Sequence, residues 1–302
     1  MKLVVTGATG FIGTVLCARL LERGHTLTLF TRGSPADAGS ATKRWVHWTP
    51  GELREWGSAL EGVDGVINLA GEPIAAKRWT HAQRRRIESS RIEGTRSLVQ
   101  AIAKTASRAK FLINASAVGY YGPRGDEIVT EETPPGNDFL SQVCRGWEDE
   151  AKKAEHLGLR VVRLRTGIVL GSGGGALAKM VPPFMFFAGG PLGSGQQWMS
   201  WIQLEDHVRL ILELIENTQA SGAVNATAPH PVRNKEFCQT LGKVLHRPCW
   251  APVPGFALRL VLGEMAEMLL TGQRVIPAAA QKLGFQFRYP NLEEALRASM
   301  PL

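Results

Sequence analysis

The chain has 302 residues, 44% of them hydrophobic, and carries 35 Lys and Arg against 27 Asp and Glu, a formal net charge of +8. That apolar share excludes a disordered polypeptide, and the length suffices for one large or two small folded units with a substantial core. The four cysteines, Cys17, Cys144, Cys238 and Cys249, come no closer than eleven residues apart; this excludes a zinc ribbon or a Cys-x-x-Cys redox pair and points to a reducing compartment, the cytoplasm.

Residues 2–6 are an apolar run leading into Thr6-Gly7-Ala8-Thr9-Gly10-Phe11-Ile12-Gly13. Residues 11–22 carry apolar side chains at helical spacing and stop at Gly24, a C-cap signal. Residues 25–31 alternate as a strand, 63–69 form another apolar run, and 82–104 are helical with Leu98, Val99 and Ile102 on one face. Strand 110–116, helix 142–156 and strand 159–164 follow. This alternation predicts right-handed crossovers and a doubly wound, parallel α/β sheet of the Rossmann type.

The pattern changes after Gly171. Gly173-Gly174-Gly175 opens a stretch that includes Pro182-Pro183 and Gly189-Gly190-Pro191. Residues 198–203 read as a short strand, 206–217 as a helix, and the tail from Pro252 as mostly helical. The expected organisation is a nucleotide-binding domain over 1–171, to which later segments return, and a smaller C-terminal substrate lobe over 172–302 that includes a helical segment at about 250–298. The most membrane-like stretch, 256–272, is interrupted by Arg259, Glu264 and Glu267, is too short to span a bilayer, and reads as a buried amphipathic helix. Met1-Lys2 runs straight into the first strand, so no targeting segment is expected. The basic clusters Lys77-Arg78 and Arg84-Arg85-Arg86 stand in no helix-turn-helix pattern. The expected partner is therefore a small molecule, not nucleic acid or a membrane, with a homodimer as the candidate assembly.

The glycine turn carries the clearest chemistry. Gly7 permits a tight turn, Gly10 lets the backbone approach a pyrophosphate, and Gly13 lets the helix pack closely on the sheet, with the helix N-terminus facing the phosphates. Thr9, Phe11 and Ile12 are candidate contacts in the same turn. At the end of the second strand, NAD-binding units place an acid for the ribose 2′-hydroxyl. Here the chain reads Phe30-Thr31-Arg32-Gly33, with no acid before Asp37. The fork of Arg32 suits a 2′-phosphate and Thr31 adds a hydroxyl, which favours NADP; a solvent-facing arginine in a loop is the competing reading.

These stretches resemble the short-chain dehydrogenase/reductase superfamily in its extended, epimerase-like form. Gly7-x-x-Gly10-x-x-Gly13 is its version of the turn, and Asn68-Leu69-Ala70-Gly71 looks like the segment that lies along the cofactor. Glu93-Gly94-Thr95 resembles the end of its Asn-x-x-Gly-Thr helix motif, with Arg91 where Asn is usual. Arg165-Thr166-Gly167-Ile168-Val169 resembles the Arg-Pro-Gly segment that borders the nicotinamide. Val118-Gly119-Tyr120-Tyr121-Gly122 and Gly284-Phe285-Gln286-Phe287-Arg288-Tyr289-Pro290 narrow the resemblance to atypical "epimerase family" proteins, which end in a helical segment of unknown function. The resemblance implies NADP binding through Thr31, Arg32, Leu69, Ala70, Gly71, Arg91 and Val169. It implies no known substrate.

The superfamily's proton relay uses Ser, Tyr and Lys, with Lys four residues after Tyr on one helix face. Four residues beyond Tyr120, Tyr121 and Tyr289 stand Arg124, Gly125 and Glu293. The resemblance aligns Leu140 with the relay Tyr and Cys144 with the Lys, and Ser116 with the Ser. A rearranged relay of Ser116 with Tyr120 or Tyr121 is the candidate catalytic set; the alternative is that both tyrosines pack or line substrate. The expected function is an NADP-dependent oxidoreductase or epimerase-like enzyme with a degenerate relay, or else a non-catalytic NADP-binding redox sensor or partner-binding regulator. Three smaller expectations complete the reading. Gly173-Gly174-Gly175 is an anion nest or a hinge. Trp198, Trp201, Phe184, Phe186 and Phe187 form an apolar cleft or a core between lobes. His207 is a surface or capping residue.

Overall fold

The computed structural model describes residues 1–33 and 39–300; Asp37 lies outside them. β1 (Lys2–Thr6) leads through the glycine turn into α1 (Phe11–Glu22), followed by β2 (Thr26–Thr31) and β3 (Lys43–His47). A short α2 (Leu53–Trp56) precedes β4 (Gly65–Asn68), α3 (His81–Lys104) and β5 (Phe111–Ala117). A 3-10 turn at Val118–Tyr121 and the short β6 (Ile128–Val129) come before α4 (Phe139–Lys152), β7 (Arg160–Thr166) and β8 (Ile168–Leu170). The two long helices are capped from the sequence: Thr80 Oγ1 accepts from the Gln83 N–H, and Asp138 Oδ1 from the Ser141 N–H.

The second half contains α5 (Leu177–Met185), β9 (Trp198–Met199), β10 (Trp201–Gln203), α6 (Leu204–Glu216) and β11 (Gly222–Ala226). It continues with β12 (Val232–Arg233), α7 (Asn234–Leu245), α8 (Gly255–Leu262), α9 (Glu267–Leu270), β13 (Arg274–Val275), α10 (Ala278–Lys282) and α11 (Leu292–Ser299).

Seven strands form one sheet in the order β3-β2-β1-β4-β5-β7-β11, every neighbouring pair parallel. The order reverses at β1, so the carboxyl ends of β1 and β4 open a crevice, where such sheets bind ligands. Leu3, Val5, Ile67 and Ile113 face α1 and α6 on one side; Val4, Val66, Leu112 and Val161 face α3 on the other. A separate core holds the second lobe, with Leu177 and Phe184 of α5, Phe237 and Leu241 of α7, Leu296 of α11 and the buried Trp201.

The later chain is sewn into the sheet. β11 adds the last parallel strand beside β7, and β13 pairs in parallel with β6. Glu131 Oε1 accepts from the backbone N–H of both Asn225 and Ala279, and Asn225 Nδ2 donates to the Ile276 carbonyl.

Several expectations are corrected. β3 is a strand although Lys43-Arg44-Trp45-Val46-His47 does not alternate, because an edge strand needs only one good neighbour. Pro182 and Pro183, named only as part of a Gly- and Pro-rich stretch, lie inside α5, both on its exposed side. In place of the one buried helix expected over 256–272 stand α8, which buries none of its residues, a 3-10 turn that buries Met265 and Ala266, and the short α9. His207 is buried on α6, not at the surface.

Candidate cofactor cleft and the pocket beside it

The glycine turn is shaped for a bound anion. Gly7 has φ +71°, and a Cβ on it would lie 2.8 Å from the Leu69 carbonyl carbon. A Cβ on Gly13 would lie 2.1 Å from the Gly7 carbonyl oxygen, so only glycine lets α1 start this close to β1. No side chain caps α1 and its first turn holds no acid, which leaves its N–H groups and the positive end of its dipole for a phosphate. Thr9 and Gly10 are exposed, Phe11 and Ile12 half-buried.

The Phe11 ring fixes the role of the later glycine run. A Cβ on Gly174 would sit 2.6 Å from that ring, and one on Gly175 2.9 Å from it. Gly174 and Gly175 leave room for the Phe11 ring, a packing role that the anion-nest and hinge readings did not include.

A buried polar cluster, missed from the sequence, holds the floor of the cleft. Thr6 Oγ1 donates to Asn68 Oδ1 at 2.6 Å; Asn68 Nδ2 donates to Asn114 Oδ1 at 2.6 Å and to Thr95 Oγ1 at 2.9 Å. Trp147 Nε1 also donates to Thr95 Oγ1 at 2.9 Å, and Thr6 Oγ1 accepts from the Ala70 N–H at 3.2 Å. The cluster aims the half-buried Leu69-Ala70-Gly71 segment across the ends of β1 and β4. Its signal in the sequence is a polar residue at the carboxyl end of otherwise apolar strands.

Arg32 stands exposed past the end of β2, with no hydrogen bond or ion pair among the described residues. Thr31 Oγ1 accepts from the Gly33 N–H at 3.2 Å. Val169 is buried on β8, paired with Ile202 of β10. Arg91 of α3 donates to the carbonyls of Glu72 and Ile87, lies with its guanidinium 5.1 Å from the centre of the Trp147 ring, and packs against Gly71. No carboxylate pairs with it among the described residues, and burial lowers its pKa. These residues fit a dinucleotide: a glycine cradle that a Cβ would fill, an uncapped helix end, and a free arginine at the ribose position.

The relay positions tell a different story. Leu140 and Cys144 lie one turn apart on α4 and both face Gly119, which is 3.5 Å from Leu140 Cβ and 3.9 Å from Cys144 Sγ, measured from an ideal Cβ. Burial pushes the Cys144 thiol up to about 12, so it carries no charge at neutral pH. Ser116 is buried and donates to Glu148 Oε1 at 2.8 Å. Glu148 also accepts two bonds from Arg165, Nε at 2.8 Å and Nη2 at 2.9 Å. Arg165 Nη1 donates to the Tyr121 hydroxyl at 2.9 Å, and that hydroxyl donates to Asn225 Oδ1 at 2.6 Å. Tyr121 is thus enclosed, with its phenol pushed up to about 12 by burial, and is not placed to meet a substrate. Tyr120 is half-buried, its ring 3.6 Å from the Arg165 guanidinium, and its hydroxyl makes no hydrogen bond among the described residues.

The aromatic residues expected to act together do not. Trp201 and Phe184 are core, Phe186 and Phe187 are exposed, and Trp198 is sandwiched between Arg233 at 4.1 Å and Arg274 at 4.7 Å. His207 Nε2 lies 3.0 Å from Thr166 Oγ1, its Nδ1 has no partner among the described residues, and burial pushes its pKa down to about 4.

A parallel sheet with this order, a glycine cradle at its reversal point and an uncapped helix end define an NAD(P)-binding Rossmann protein. The chain belongs to the NAD dependent epimerase/dehydratase family, whose model matches residues 3–226; a domain of unknown function, DUF1731, matches 253–299. It is 46% identical over 303 residues to the Arabidopsis thaliana "Epimerase family protein SDR39U1 homolog, chloroplastic", covering 99% of this chain and 87% of that one. It is 41% identical to the Bacillus subtilis "Epimerase family protein YfhF", covering 98% and 97%. Among solved structures it is similar to the human epimerase family protein SDR39U1 (isoform 2) with NADPH, at TM-score 0.88 and 34% identity over 99% of both chains. The UDP-glucuronic acid 4-epimerase of Bacillus cereus, with UDP-glucuronic acid and NAD, shares the fold at TM-score 0.82 and 18% identity, covering 99% and 98%.

Proposed function

We propose that this chain binds NADP(H) and is an oxidoreductase or epimerase-like protein whose proton relay is degenerate. The pair Leu140 and Cys144, facing Gly119 where the superfamily places its acid and its cation, carries this reading. The NADPH in the human relative supports the cofactor preference, as does Arg32 without an acid beside it. When bound, the cofactor supplies hydride chemistry at the nicotinamide. The chain's own residues divide the binding. The N–H groups that open α1 take the pyrophosphate, Arg32 and Thr31 take the 2′-phosphate, and Leu69, Ala70, Gly71 and Arg91 lie along the middle. Val169 borders the nicotinamide. Of the candidate proton carriers, Tyr120 keeps a free hydroxyl, whereas Ser116 donates its hydroxyl hydrogen bond to Glu148 and Tyr121 serves the buried network. The second reading, a non-catalytic NADP-binding sensor or regulator, is favoured by that engagement of Ser116. The four unpaired cysteines fit a reducing compartment such as the cytoplasm.

The test is a fluorescence titration with NADPH and NADH beside an NADPH-oxidation screen over small ketones, quinones and sugar nucleotides. Binding that favours NADPH, with turnover near background, is expected. A positioned acid or base contributes about 10²–10⁴-fold, which is the deficit anticipated. Absence of NADPH binding overturns the cofactor assignment, and robust turnover unaffected by Tyr120→Phe overturns the degenerate relay.

A further inference from the structure

Ten large hydrophobic side chains are exposed among the described residues, and seven of them fall in just two stretches, 185–187 and 250–261. Phe186 is 81% exposed, Trp250 69%, Phe256 74% and Leu260 78%. The two stretches run side by side. Gly189 bridges to Cys249, Leu192 bridges to Val253, and Trp250 Nε1 donates to the Phe187 carbonyl at 2.9 Å. α8, which buries none of its residues, starts two residues beyond Val253 and continues the surface with Phe256, Leu260 and Val261. Single exposed apolar residues are ordinary, but aromatic and aliphatic side chains gathered on adjoining segments mark a surface that meets something apolar.

The charge around it says what. Residues 172–204 and 237–263 contain no Asp or Glu at all. Three acids nearby are paired: Glu264 with Arg84, Glu267 with Arg259, and Glu293 with Lys243. Arg247, whose guanidinium lies 4.9 Å from the Phe187 ring, has no carboxylate partner among the described residues. Neither has Arg78, packed against Gly263 at the end of α8, nor Lys179 of α5, which donates to the Ala75 carbonyl. An apolar surface with Trp and Phe at its centre and surplus Arg and Lys at its rim matches the interface of an anionic bilayer. A second copy fits less well, because a two-fold contact would set Arg247 and its basic neighbours against their own kind.

We propose that this face of the second lobe, built from 185–187, Trp250 and α8, docks on membranes that contain anionic lipid. No helix among the described residues is long and apolar enough to cross a membrane; the proposed contact lies on the surface, with side chains reaching into the boundary between headgroups and acyl chains.

The test is co-sedimentation of the full chain with vesicles of phosphatidylglycerol mixed into phosphatidylcholine, against phosphatidylcholine alone, with sedimentation velocity in parallel. Partition to the anionic vesicles at least about tenfold above the neutral ones is expected, weakening with salt. Arg247→Ala should lower it about fivefold. Phe256→Ser with Leu260→Ser should abolish it while leaving NADPH affinity and the melting temperature unchanged, since neither side chain is buried. Equal or absent partition to the two vesicle types overturns the proposal. So does a dimer in solution that the serine pair dissolves, which would make a second copy the occupant. Should the serine pair fail to fold, the Arg247→Ala and salt series still decide.

Discussion

Arg91 on α3 lies over the Trp147 ring of α4 at 5.1 Å, one turn along from the buried Cys144, and its charge works against the burial that raises that thiol's pKa. The cation of this pocket therefore comes from α3, whereas the resembled superfamily has Asn there and Lys on α4. Cys144→Lys alone would place an ammonium next to a guanidinium in a buried site. It is expected to lower stability by about 3–5 kcal/mol, the scale of an uncompensated buried charge, and Arg91→Asn in the same chain should recover much of that loss. Thermal melts of the two single variants and the double variant measure the coupling. With Leu140→Tyr added to the double variant, carbonyl reduction should rise above the parent; a Cys144→Lys chain as stable as the parent would refute the neighbourhood.

Gly13→Val pushes a branched side chain into the Gly7 carbonyl oxygen. Overpacking of this kind costs about 1–3 kcal/mol, and here it also moves the turn proposed to meet the pyrophosphate. Loss of NADPH binding or of soluble protein is expected, read by titration and by melting. Normal binding would show that the cradle is elsewhere.

Arg32→Ala removes the one fork at the ribose position. The expected loss is about 1.5–3 kcal/mol of NADPH affinity, roughly 10–150-fold, with NADH affinity nearly unchanged. Equal losses for both cofactors would assign Arg32 to some other role.

His207 gives an acid limit to stability. Burial lowers its pKa from the ordinary 6.5 to about 4 in the folded chain, so the unfolded chain takes up the proton first. Stability is full above pH 6.5 and is lost as pH falls toward 4, by about 3 kcal/mol in all. His207→Gln, which keeps a polar partner for Thr166, should flatten the fall in melting temperature across that window. A residual slope is expected from His25, whose pKa is lowered by burial and by the chain's amino terminus. An unchanged slope would show that His207 is not the titrating group.

The cofactor half of the fold was legible because each strand there is a short apolar run closed by a turn signal, and because the glycine spacing follows a strand and opens a helix. β11 was not, since Gly222-Ala223-Val224-Asn225-Ala226 is short and small, and its place is set by β7 rather than by its own pattern. The positions of Leu140 and Cys144 could be read from alignment with a helix. The binding of Ser116 to Glu148 could not, because it joins residues 32 apart across a strand and a helix. The asparagine and threonine cluster under the cleft left a trace, Thr6 and Asn68 ending apolar strands, that gains meaning only once β1 and β4 stand beside Asn114 of β5. α8 misled because its apolar side chains suggest burial, and nothing local says that they have no core to enter.

The last strand of the main sheet and the helix against it reach the ribosome exit late. A nascent chain stalled before residue 222 has β7 as an open edge, with its hydrogen-bonding groups unmet. One stalled before 276 lacks the Ile276 carbonyl and the Ala279 N–H that Asn225 and Glu131 bind. Vectorial synthesis thus cannot deliver a finished nucleotide-binding half ahead of the tail. The terminal segment, which the domain of unknown function matches, supplies these last partners, and a nonsense codon ahead of residue 276 should yield a chain cleared by proteases rather than a shorter working protein.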